Sequence, residues 1–125
     1  MLQFFTLRTR RSQRKALLGA LDAMDTVAEL TRSYISTGLP PGAQVKAIDL
    51  LKLLNRERES AIMAVAGLSE GFSVIAMRPR VILHLNIAYS TYAAFQALTI
   101  ECERETAAID AEAQQIKTIM SALDI

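Results

Sequence analysis

The chain has 125 residues, 51% hydrophobic and 22% charged, a single domain's length and too apolar for a disordered tail or linker. One cysteine and one histidine exclude a disulfide framework, a cysteine zinc site and His-rich metal centres, and five glycines with three prolines are too few breakers for a many-stranded fold. The formal net charge is +1 but uneven, with +3 over residues 1–42, +2 over 43–80 and −4 over 81–125; a dedicated nucleic-acid-binding domain is more basic than this.

At the N-terminus, the apolar Met1, Leu2, Phe4 and Phe5 precede the cations Arg8, Arg10, Arg11, Arg14 and Lys15. A secretory signal has the reverse order, so the expected location is the cytoplasm. The five cations read as a basic arm able to grip nucleic-acid phosphates, or to lie on an anionic membrane with its aromatics inserted. The plainer alternative is a solvated entrance to the first helix, or one that pairs with the acidic C-terminal segment. The spacing predicts helix 1 over about 12–37, with Ser12 as N-cap and a seam of Leu17, Ala20, Met24, Val27, Thr31 and Tyr34. It ends at Gly38-Leu39-Pro40-Pro41-Gly42, where Gly38 can take the left-handed conformation and the prolines block continuation.

Helix 2 is predicted over about 43–77, with Ala47, Leu51, Leu54, Arg58, Ala61, Val65, Leu68, Phe72 and Ile75 on its seam and a break allowed near 67–71 by Gly67 and Gly71. Only Arg58 interrupts that apolar stripe. Arg78-Pro79-Arg80 is the expected second turn, with Pro79 opening helix 3 over about 80–123. The seam of helix 3 runs from Val81 through Leu85, Ala88, Tyr92, Phe95, Thr99, Cys102, Thr106, Ile109, Ala113, Ile116 and Met120 to Leu123 in unbroken 4,3 spacing with no charge on it. At 1.5 Å per residue this helix is about 60 Å long, which makes an elongated bundle rather than a sphere.

Short connections make consecutive helices antiparallel. With turns at Pro40-Pro41 and Arg78-Pro79, Arg56 to Glu59 come level with Ile100 to Cys102 and with Asp22 and Asp25. A structural polar layer of Asp22, Asp25, Arg56, Arg58, Glu101 and Glu103 is therefore expected across mid-bundle, with a carboxylate answering the seam arginine.

Two stretches suggest sharper functions. Arg78 and His84, five residues between them, resemble the Arg-x(4–6)-His pair of the helical HEPN ribonucleases, which implies an RNA-cleaving or nucleic-acid-binding helical domain acting on a 2′-hydroxyl and phosphate. Residues 61–77 and 81–100 are apolar enough to suggest a membrane hairpin, holin-like or pore-forming, although Glu70, His84, Asn86 and Gln96 lie within it and the seam of helix 3 continues past it. The reading that accounts for most of the chain is all-α: a single elongated, coiled-coil-like antiparallel three-helix bundle with the C-terminal helix as its spine. Its apolar surface exceeds what one thin bundle covers, so a non-enzymatic interaction protein is expected, a scaffold, adaptor or assembly factor that binds itself as a homo-oligomer or another protein, without cofactor or metal.

Overall fold

The computed structural model describes residues 7–123, in which three α-helices occur and no strand: α1 (Arg10–Ile35), α2 (Pro41–Ser69) and α3 (Val74–Leu123). Each helix packs against both others. The fold is thus an all-α three-helix bundle with a long C-terminal helix. Met1, Leu2, Phe4 and Phe5 lie outside the described residues.

The cap of α1 is Thr9 rather than Ser12. The Ser12 amide donates to Thr9 Oγ1 at 3.0 Å and the Thr9 amide donates to Ser12 Oγ at 3.2 Å, a reciprocal capping box with serine in the third helical position. Gly38, at φ +83°, turns the chain toward α2. α2 stops at Ser69, not near 77. Gly71 sits at φ +94°, its amide donates to Leu68 O and the Phe72 amide to Gly67 O at 3.0 Å, the paired bonds of a Schellman motif. Phe72 then folds onto Gly67, where a Cβ would lie 2.8 Å from the ring.

The second turn is therefore at Gly71–Ser73, and α3 begins at Val74 and runs through Pro79. Proline there withholds one bond, to the carbonyl of Ile75, a residue 88% exposed in the opening turns of the helix. This earlier turn changes the register. Gly42 and Lys46, not Arg56 to Glu59, sit opposite Glu105 and Glu101.

The core has three layers. At the end where α1 starts are Leu17, Ala64, Leu68, Met77 and Val81, closed by Leu7; Met24, Val27, Leu50, Leu54, Ala61 and Ala88 fill the middle; Leu39, Ala43, Ala47, Leu98 and Cys102 fill the far end. α1 buries the seam expected for it. On α2 and α3 alternate seam positions shift by one residue: Leu50 and Ala64 are buried on α2, His84, Thr91 and Leu98 on α3, while Leu85 and Thr99 are half-buried and Tyr92 exposed. One residue is about 100° of helix, so each seam turns by about 50°. At Ala64 and Thr91 the smaller residue goes inward and Val65 and Tyr92 flank it, which lets the helices approach there.

Candidate functional site

Few of the sequence-predicted site residues come together. Of the polar layer, Asp25 and Arg58 meet: Arg58 Nε donates to Asp25 Oδ1 at 2.8 Å. Arg58 lies outside the rotated seam with half its side chain exposed, so this is a surface pair and not a buried charge. Arg56 approaches only its neighbour Glu57, at 3.9 Å, and Asp22 and Glu103 are exposed. Glu101 pairs with Lys46.

Of the basic arm, Arg10, Arg11, Arg14 and Lys15 form the first two turns of α1, and Arg8 alone precedes its N-cap. Arg10 is committed structurally, its Nη1 donating to Leu68 O at 2.6 Å and Phe72 O at 2.9 Å at the C-terminus of α2. Arg8, Arg11, Arg14 and Lys15 are exposed. With Arg78 and Arg80 at the start of α3, this end of the bundle (residues 7–20 and 70–80) carries seven cations against Glu70 alone.

A matching bond closes the other end of α2. Its N-cap, Pro40, has no side-chain hydrogen bond, and its first turn has no acid. The Gly42 and Ala43 amides instead donate to the two carboxylate oxygens of Glu105 on α3, each at 3.0 Å. Both orphan ends of α2 are thus finished by other helices, with the charge signs its dipole favours.

Arg78 and His84 stand about 120° apart around one helix, on different faces. Arg78 is exposed, whereas His84 is buried and neither ring nitrogen has a hydrogen-bond partner among the described residues. Burial lowers the pKa of His84, the Arg80 charge lowers it further, and Glu57 opposes both. One side chain is exposed and the other buried, unlike the paired arrangement that the ribonuclease resemblance implies. Tyr34, edge-on to Phe95 with ring centroids 5.9 Å apart, is pushed up to about 12 by its hydrogen bond with buried Cys102 and then by its own burial. Among the described residues no helix is long and apolar enough to cross a membrane.

Among the described residues two apolar surfaces are left open. The first is a groove of about 640 Å³ between α1 and α3, floored by Ala16, Gly19 and Ala20 and walled by Ala88, Tyr89 and Tyr92. Tyr89 is 79% exposed, and a Cβ at Gly19 would meet nothing within 4 Å. Leu7 and Lys15 border the groove near the basic end. The second is the last part of α3. Beyond Glu105 no core residue remains and every described residue from Thr106 to Leu123 is exposed, so 18 residues, about 27 Å, project past the ends of α1 and α2. This projection carries Ile109, Ile116, Ile119, Met120 and Leu123. The sequence contained that stripe but not the fact that its partners stop short, because the second turn was placed too late. No protein-family model, curated protein or solved structure matches the chain.

Proposed function

We propose that the chain is a non-enzymatic protein–protein interaction module, a small helical scaffold that works by self-association. The bare end of α3 carries this reading. A lone helix of 18 residues is marginal in water and takes its stability in proteins from a packed apolar face. From Thr106 to Leu123 the heptad-like stripe persists with nothing of its own chain to pack on, and a contiguous exposed stripe of this kind marks an association surface. The groove agrees with this use: small residues on one wall and tyrosines on the other suit a docked helix, and its polar groups are few.

Light scattering after size exclusion tests the proposal. The expected result is a mass above the 13.8 kDa monomer and a hydrodynamic radius large for that mass, both lost when residues 106–125 are removed. A full-length chain that stays monomeric across the concentration range would sink it.

A further inference from the structure

We infer that the bare end of α3 docks in the α1–α3 groove of a second copy, head to tail, so that the chain polymerises in an open series. The inference rests on the scaffold reading and names its partner as another copy of this chain. Length, charge and shape carry it.

Within the bundle α3 extends from Val74 to Glu105, and the groove lies level with Leu85 to Tyr92, eleven residues or about 16 Å from the basic end. A copy stacked end to end in the same orientation places its Val74 beside Thr106. Ile116, Ile119, Met120 and Leu123 then come level with the groove, where they add a fourth helix parallel to α1 and α3. The projection has the length needed to reach the groove and cover it.

Charge selects this orientation. From Glu103 to Leu123 the chain carries four carboxylates, Glu103, Glu105, Asp110 and Glu112, against Arg104 and Lys117. In the head-to-tail stack this acidic segment meets the end with seven cations to one acid, and Asp110 and Glu112 come level with the exposed Arg14 and Lys15 of the partner subunit, just below the height at which Leu17 packs on Met77 and Val81. Pairing two projections with each other instead would bring two acidic segments together and leave the groove and the basic end unused. The two surfaces lie on different parts of the chain, so the contact is heterologous and repeats from copy to copy.

Sedimentation velocity on three chains tests this: the wild type, the double variant Ile116→Gln with Met120→Gln, and Gly19→Glu. The first variant changes only residues outside the core, and a side chain at Gly19 enters open groove, so both keep the packed bundle, and any helix they lose on staying monomeric is confined to the unpacked projection. The wild type is expected to grow past dimer as concentration rises and to shrink at high salt. Each variant alone stays monomeric, while an equal mixture of the two gives a 1:1 dimer, because one supplies a sound groove and the other a sound projection. A wild type that stops at a closed dimer, a Gly19→Glu chain that associates like wild type, or a mixture that stays monomeric overturns the head-to-tail contact and leaves the scaffold reading standing. A wild type that is monomeric throughout overturns both.

Discussion

His84 is the chain's sole histidine, buried on α3 with both ring nitrogens unpaired among the described residues. Burial holds its folded pKa below the ordinary 6.5, with Arg80 acting in the same direction. The unfolded chain therefore binds the proton more readily, so stability is fully present above pH 6.5 and is lost as pH falls from there through the folded value. The melting midpoint of the wild type should drop between pH 7.5 and 5, a window above the ordinary range of the carboxylates. His84→Leu buries no polar atom and should lose that step; it should also melt higher at both pH values, because the unpaired nitrogens cost about 1–3 kcal/mol. A step of unchanged size in the variant would place the effect on another group.

Among the elements, α2 depends most on its neighbours. Glu105→Ala leaves the Gly42 and Ala43 amides without acceptors, and Arg10→Ala removes the guanidinium from the Phe72 carbonyl and from the Leu68 carbonyl, which keeps only its bond from the Gly71 amide. Each should cost about 1–2 kcal/mol in urea unfolding, with Glu105→Gln losing less because one acceptor oxygen remains. Loss near zero in both single variants would mean that water replaces these caps. No window of sequence displays them, since the partners lie 58 to 63 residues apart. What was legible is local: the helical period, the Gly38 turn and the seam of α1. Pro79 is stronger punctuation than Gly71-Phe72, yet the turn formed at the glycine, where a positive φ was needed, and the proline was absorbed near a helix start at the loss of one bond. A 4,3 spacing fixes the helical period but not its phase: the bundle buries Leu50, Ala64, His84, Thr91 and Leu98, each one residue before the position that the spacing marks. The candidate surfaces were hidden for the same reasons. The groove exists because Tyr89 and Tyr92 face away from the core, and the projection because α3, at 50 residues, outruns α2, at 29.

For the whole molecule, folding and association belong to different parts of the same helix. Among the described residues, removing 106–125 takes away no core side chain, so the unfolding free energy of the remaining bundle in urea should match that of the wild-type monomer to within about 0.5 kcal/mol. Far-UV circular dichroism should fall by the helix removed and association should vanish. A large loss of stability in the shortened chain would show that the projection supports the bundle through contacts of its own.

The two borrowed caps of α2 also set the order in which this protein can be made. A helix pair of α1 and α2 lacks the carboxylate that finishes one end, and a pair of α2 and α3 lacks the guanidinium that finishes the other. Neither hairpin is a complete folding unit, and the ordering entropy of α2 is repaid only when all three helices have met. Refolding should therefore follow a single exponential with no populated two-helix intermediate, and a nascent chain leaving the ribosome should gain protease resistance only after Glu105 has emerged.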